Sequence, residues 1–229
     1  MTKTKIEWCD YTMNPVKGKC PVACQYCYAR RIYDRFKLDP SIRLEKEAFD
    51  LSGIKQPSRI FVGSTMELFG PWIPWEWMQW IMGVVNSHPQ HTFIFLTKCP
   101  EGLVRWSPFP HNVWVGFSAA TKLQFYSGCH HFADIQAKVK FISFEPLQES
   151  MSGHDPVGTH LKNAGIRWVI IGQQTPSRPK TSPDIKWVQQ IDSQATRSRI
   201  PVFLKKNLIP LIGDAFDLKQ DFPRLKVKS

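Results

Sequence analysis

Three cysteines fall within eight residues near the start of the chain, in Cys20-Pro-Val-Ala-Cys24-Gln-Tyr-Cys27-Tyr28. The whole sequence has only six cysteines in 229 residues, so half of them lie in this segment. Close thiols on one loop can chelate a metal centre. Iron–sulfur clusters usually take four cysteine thiolates, and a three-cysteine loop therefore leaves one iron open to an outside ligand. Structural zinc is the competing reading. It takes four ligands, commonly as two pairs of cysteine or histidine. The fourth would have to come from Cys9, Cys99, Cys129 or a histidine such as His130, and none of these forms a second recognisable pair. A disulfide framework fits less well, because a chain of this length buries a core without staples.

The spacing Cys-x-x-x-Cys-x-x-Cys followed by an aromatic residue resembles the cluster loop of the radical S-adenosylmethionine (SAM) enzymes. The resemblance implies a [4Fe–4S] cluster on Cys20, Cys24 and Cys27, with SAM as second cofactor on the open iron. It further implies an external electron donor, reductive cleavage of SAM to a 5′-deoxyadenosyl radical, and hydrogen abstraction from a substrate.

The chain must also supply elements that hold such a loop. At 42% hydrophobic residues it can bury a substantial core. No run reaches the apolar length of a membrane span. The polar start Met1-Thr-Lys-Thr-Lys-Ile-Glu7 lacks a signal peptide's apolar segment. Reduced thiols and an oxygen-sensitive cluster point to the cytoplasm. A formal charge of +11 favours an anionic partner.

Short apolar runs recur along the sequence: Arg59–Gly63, Thr92–Leu96, Val113–Gly116, Val139–Ser143, Trp168–Gly172 and Pro201–Leu204. Continuous apolar runs of this length predict strands buried on both faces of a parallel sheet. Between them, Pro74–Asn86 and Asp184–Ser193 predict crossover helices, each opened by a residue suited to a first turn. Alternating strands and helices predict an α/β fold, a (β/α) barrel or its open variant, with residues 1–229 forming one domain.

In such folds the site gathers at the C-terminal ends of the strands. Those ends carry Ser64, Thr65 and Glu67, then Lys98, Ser118, Glu145, Gln173 with Gln174 and Thr175, and finally Lys205 and Lys206. Six successive strand ends finishing in polar side chains predict a site-bearing rim.

The same segments carry a closer resemblance. Lys5–Val16, Leu96-Thr-Lys-Cys-Pro100, Phe141-Ile-Ser-Phe-Glu-Pro-Leu147 and Trp168–Gly172 resemble, in order, the phage Gp37/Gp68-like, DUF5131-type group of three-cysteine radical SAM proteins. The resemblance runs from about residue 5 to about residue 207. It implies a partial, TIM-like (β/α) barrel of the radical SAM type, and in some members a dedicated partner protein. It supplies no reaction. The sequence departs from the group at Gly172-Gln173-Gln174-Thr175, where an acidic Gly-Gly-Glu-Ser loop is usual. It departs again at Glu67, where Asp is usual, and at Cys99, where Arg is usual. A glutamine at 174 keeps hydrogen bonding and loses proton-transfer capacity.

By analogy with the superfamily, Glu67 accepts a hydrogen bond from the methionyl ammonium. Lys98 meets the SAM carboxylate or a substrate phosphate, Ser118 the ribose, and Glu145 the ribose or substrate. Ser64 and Thr65 belong to the same cofactor-binding set. Tyr28 packs against the cluster or the adenine, with core packing as the alternative. For Glu145 the alternative is an ion pair with a rim lysine. Gln173, Lys205 and Lys206 are assigned to the substrate.

Nine tryptophans and thirty lysines and arginines could build a stacking surface and an electrostatic funnel for nucleic acid. Trp72, Trp75, Trp77 and Trp80 cluster at one helix start, where packing competes for them. Arg178, Lys180, Arg224, Lys226 and Lys228 add to a basic C-terminal part. Two functions remain from the sequence. One is a radical SAM enzyme acting on an anionic substrate such as a nucleotide or nucleic acid, as lyase, repair or modifying enzyme. The other is a non-catalytic iron–sulfur or zinc-bearing nucleic-acid-binding module.

Overall fold

The computed structural model describes residues 2–213 and 217–223; Arg224, Lys226 and Lys228 lie outside them. The chain divides into two compact units, Met1–Gly116 with Ile135–Lys138, and Phe117–Asp134 with Val139–Ser229.

The first unit contains β1 (Thr2–Lys3), β2 (Tyr11–Met13), β3 (Val16–Lys17), α1 (Tyr28–Phe36), β4 (Arg43–Leu44), β5 (Arg59–Val62), α2 (Trp75–Asn86), β6 (Thr92–Thr97) and the start of β7 (Val113–Ser118). Its sheet runs in the order β1-β2-β5-β6-β7. Strands β2, β5 and β6 are parallel, with Tyr11 opposite Ile60 and Arg59 opposite Thr92. Strand β1 is antiparallel to β2, and β3 and β4 form a separate antiparallel pair. Ile60, Phe61 and Val62 and then Phe93, Ile94 and Phe95 are buried, which is why these strands read as continuous apolar runs. Helix α2 covers the sheet with Met78, Ile81, Met82 and Val85, spaced on one helical face. Each such side chain contributes about 1.5–3 kcal/mol when fully buried. Asp10 joins the starts of β2 and β5. Its carboxylate accepts from the Arg59 backbone N–H at 2.8 Å and from Nε and Nη2 at 3.3 and 3.1 Å. Burial pushes the Asp10 carboxyl up, but the Arg59 hydrogen bonds and charge outweigh it and hold it below the usual range.

The second unit contains the end of β7, α3 (Lys122–Ala133), β8 (Val139–Phe144), α4 (Val157–Asn163), β9 (Trp168–Ile171), α5 (Ile185–Arg197), β10 (Val202–Leu204) and α6 (Ile209–Ile212). Strands β8, β9 and β10 are parallel neighbours, with Phe141 opposite Trp168 and Val202 opposite Val169. Every residue of these three strands is buried. A reciprocal capping box between Thr121 and Gln124 opens α3. Asp184 opens α5 by accepting from the Lys186 N–H at 2.8 Å. Both α4 and α5 close through a six-residue backbone bond, Ile166 N–H to Leu161 O and Ile200 N–H to Ala195 O, each 2.9 Å. Such closures need a left-handed residue after the helix, supplied by Gly165 (φ 67°) and Arg199 (φ 57°).

All six expected strands are present within two residues of their sequence bounds, and α2 lies where expected. Helix α5 runs four residues past the expected end. Strand β2 and helices α1, α3 and α4 were not anticipated. No helix among the described residues is long and apolar enough to cross a membrane.

Close packing of α3 sets one test. A Cβ on Gly128 would meet the ring of the buried Phe117 at 2.1–2.7 Å. Overpacking a filled core costs about 1–3 kcal/mol, against a gain of about 1 kcal/mol in helix propensity. Gly128→Ala should therefore lose on the order of 1 kcal/mol in urea unfolding. A variant more stable than wild type would show that propensity, not packing, governs this position.

Candidate active site

Polar side chains of the first unit meet at the C-terminal ends of its parallel strands. Asn14 follows β2, and its Oδ1 accepts from the Ser64 hydroxyl and the Thr65 N–H, both at 3.1 Å. Gly63 ends β5 with φ 82°, a left-handed turn that glycine adopts without strain. The three-cysteine loop lies against these ends. At its far side the Tyr28 hydroxyl donates to the Ser64 carbonyl at 3.2 Å. Tyr28 is half exposed, so packing in the core is not its role.

Glu67 is the hub. It is 7% exposed, and its Oε1 accepts from the Phe69 N–H at 3.0 Å and the Thr97 hydroxyl at 2.6 Å. Its Oε2 accepts from the Lys98 N–H at 2.6 Å. The carboxylate thus ties the loop after β5 to the last residue of β6 and the residue beyond. Burial pushes its carboxyl pKa up, while these three donors and the Lys98 charge pull the other way. The Lys98 ammonium turns instead to the cysteine loop, donating to Tyr26 Oη at 3.0 Å and lying 5.2 Å from that ring's centre. Burial opposes its charge, but Tyr26, Cys24 and Glu67 outweigh burial and raise its pKa.

The thiols are all reduced. Cys20 receives backbone hydrogen bonds from Glu67 and Val22, and burial is the main cause that raises its pKa. Cys27 caps α1, its sulfur accepting from the Arg30 N–H at 3.4 Å. The positive end of α1 thereby opens onto the loop. Cys99 is pushed up to about 12, first by burial and then by Glu67, Glu101, Cys20 and Cys24, so it is a neutral thiol beside the loop. Cys129 is likewise pushed to about 12 by burial and belongs to the second unit. Among the described residues no three His, Cys, Asp or Glu side chains are gathered to hold a metal ion. Cys20, Cys24 and Cys27 therefore fit an iron–sulfur cluster by donor type and by sharing one loop. Their sulfurs do not converge in this conformation of residues 20–27.

The remaining candidates lie in the second unit. Glu145 after β8 and Lys205 after β10 form an ion pair. That is the structural alternative the sequence left open. Between them is Gly172, where an added Cβ would meet Lys205 Cδ at 2.9 Å and the Glu145 side chain at 3.4 Å. Gln173 is buried and committed to the chain. Its Nε2 donates to the Asn207 carbonyl, and its Oε1 accepts from the Ser182 hydroxyl at 2.9 Å. Ser118 is buried at the end of β7 and Lys206 is exposed.

Asn14, Tyr26 and Thr97 went unassigned from sequence. Each lay inside a quoted motif or the cysteine loop, but their partners are 50, 72 and 30 positions distant. Position after a strand end was the one available signal, and β2 is too short and too exposed to announce itself.

A family model described as "Protein of unknown function (DUF5131)" matches residues 3–208. Two solved structures resemble the chain, each with TM-score 0.56 over 89% of this chain and 78% of the other. One is a spore photoproduct lyase mutant with bound AdoMet and dinucleoside spore photoproduct, at 10% identity. The other is spore photoproduct lyase complexed with dinucleoside spore photoproduct, at 9% identity. At that identity the likeness shows the fold, which is α/β and of the partial TIM-like barrel class of radical SAM enzymes. No curated protein matches the chain.

Glu67 offers a direct test of the hub. In Glu67→Gln the amide nitrogen faces chain N–H or hydroxyl donors and leaves at least one of them unpaired. Leaving a buried donor unsatisfied costs about 1–3 kcal/mol, which should appear as a lowered urea midpoint. An unchanged midpoint would mean that the three hydrogen bonds do not hold these strand ends together.

Proposed function

The chain belongs to the DUF5131 family, described as of unknown function, and we propose that it is a radical SAM enzyme. The observation that carries this reading is the loop Cys20-x-x-x-Cys24-x-x-Cys27 lying against the C-terminal ends of parallel strands. Likeness in fold to a lyase whose structure holds AdoMet supports it. In this reading Cys20, Cys24 and Cys27 hold a [4Fe–4S] cluster, whose three-thiolate ligation leaves one iron open. When bound, the cluster supplies the electron that cleaves SAM, drawn from an external one-electron donor.

The chain's own residues do the rest. Lys98, a buried cation at the loop, meets the carboxylate of SAM by exchanging its bond to Tyr26. Ser64, Thr65 and Tyr28 form the polar wall, with Asn14 fixing its shape. Glu67 orders the Thr97–Lys98 turn through its three hydrogen bonds, which is how it acts on cofactor binding. Ser118 and Glu145 are the second unit's contribution at strand ends, and Gln173, Lys205 and Lys206 border the substrate there. Because Lys205 is paired with Glu145, a substrate anion would have to displace that carboxylate.

Hydrogen abstraction from an anionic substrate completes the proposal, and the +11 charge favours nucleic acid. The kinship to phage Gp37/Gp68-like proteins is part of it and rests on the order of the motifs at Leu96–Pro100, Phe141–Leu147 and Trp168–Gly172. So does a cytoplasmic setting, supported by six free thiols, and a dedicated partner protein as in that group.

Anaerobic reconstitution tests the reading. We expect roughly four irons and four sulfides per chain, and a change in the reduced cluster's paramagnetic resonance signal on adding SAM. Cys20→Ala, Cys24→Ala and Cys27→Ala should each abolish the cluster, whereas Cys9→Ala and Cys129→Ala should not. Stoichiometric zinc without response to SAM would establish the non-catalytic binding module instead. Loss of iron in Cys9→Ala equal to that in Cys24→Ala would overturn the three-ligand assignment.

Calorimetry on the reconstituted protein tests the cofactor wall. Glu67→Gln should weaken SAM binding by on the order of tenfold, the equivalent of about 1.4 kcal/mol, and by more than Glu145→Gln does. Equal affinity in wild type and Glu67→Gln would remove Glu67 from any part in SAM binding.

A further inference from the structure

At the opposite ends of β9 and β10 from Gln173 and Lys205, the second unit has an open cleft of about 840 Å³. Its wall includes Lys162, Arg167, Arg199 and Lys219, one acid, Asp221, and the ring of Phe222. A smaller cleft of about 250 Å³ shares Lys162 and Ser198 with it and adds Arg197 and Thr159. Lys219 is neutralised by Asp192, its Nζ donating to both carboxylate oxygens at 2.9 and 2.8 Å. Lys162, Arg197 and Arg199 have no carboxylate partner among the described residues.

The negative ends of α4 and α5 account for part of this charge. Lys162 lies in the last turn of α4, and Arg197 ends α5, where cations are favoured by the helix dipole. Arg199 is different. It occupies the left-handed position after α5, with φ 57°, where α4 has Gly165 and where glycine is ordinarily chosen. An arginine there strains the backbone, and such strain is retained where a side chain serves another end. Its guanidinium lines the cleft and is exposed.

We propose that the two adjoining clefts bind the phosphodiester backbone of a polynucleotide, on the face of the second unit away from its strand-end candidates. Three unpaired cations spread along two connected clefts suit a row of phosphates better than a single anion. Phe222, Ile200 and Pro223 give an apolar wall against which a base or sugar can rest, as in sequence-tolerant single-strand binding. Polynucleotide binding was already favoured by net charge; this inference rests on that part of the proposed function and assigns it a place.

The test uses the full chain without cluster or SAM, so the radical chemistry plays no part. Fluorescence anisotropy with labelled single-stranded DNA across a salt series should show binding that weakens as salt rises, because neutralised phosphates release counterions. Arg197→Ala with Arg199→Gly should weaken it at least tenfold at low salt and flatten the salt slope by about two. Lys205→Ala with Lys206→Ala should change it less than twofold. Arg199→Gly alone separates binding from folding. Relief of the left-handed strain should raise Tm by about 2–4 °C while affinity falls. Unchanged affinity and salt slope in the Arg197→Ala, Arg199→Gly protein would overturn the cleft and leave nucleic-acid binding elsewhere on the chain. Failure of wild type to bind DNA at low salt would overturn both the cleft and the nucleic-acid substrate, leaving the cluster and SAM assignments untouched. A lowered Tm in Arg199→Gly would overturn the claim that Arg199 is kept against stability.

Discussion

One buried carboxylate organises the first unit's polar end. Glu67 would be an expensive group to bury alone, since removing an ionisable side chain from water is unfavourable unless partners compensate. Here it receives three donors, two of them backbone N–H groups on either side of a strand junction. The consequence is mechanical. The residues after β5 and after β6 are joined through a rigid polar link in addition to the sheet's own ladder. Lys98 then projects from a fixed backbone toward Tyr26, and the cysteine loop has a charged anchor on its inner side.

The two units solve the same problem differently. In the first, polar groups at the strand ends leave side chains such as Lys98 and Tyr28 oriented toward the cysteine loop. In the second, Glu145 with Lys205 and Gln173 with Asn207 and Ser182 satisfy one another. A site that must admit a ligand keeps exchangeable partners, and the Lys98–Tyr26 bond is of that kind. The Gln173 knot is a buried network with every polar atom of the amide engaged, which favours a rigid rim.

Much of the fold was legible because the central strands are buried on both faces. Runs such as Phe93-Ile94-Phe95 and Val169-Ile170-Ile171 permit few other placements. Strand β2 was illegible for the opposite reason: three residues, of which only Met13 is buried. Helix α1 escaped notice because Ala29 is its one buried residue, so no apolar stripe marks it. At the site, the cysteines and Glu67 stood out by type and spacing. What Glu67 does could not be read, since its partners Thr97 and Lys98 come into reach only when β5 pairs with β6. Likewise the sign of Lys205's contribution depended on Glu145, sixty positions away.

The pairing of β2 with β5 closes a long excursion of chain, since Asp10 and Arg59 are 49 positions apart. The entropy of bringing those ends together grows only with the logarithm of the length enclosed, so a long insert there is tolerated at little extra expense. Everything from Asn14 to Ser58, the three thiols included, is therefore a tethered arm whose anchor points are already secured by sheet hydrogen bonds and the Asp10–Arg59 fork. An arm pinned at both ends can exchange one internal arrangement for another without unzipping the strands that hold it. The freedom of residues 20–27 and the permanence of the surrounding sheet are in this sense the same design decision, made at a point in the chain far from any sulfur.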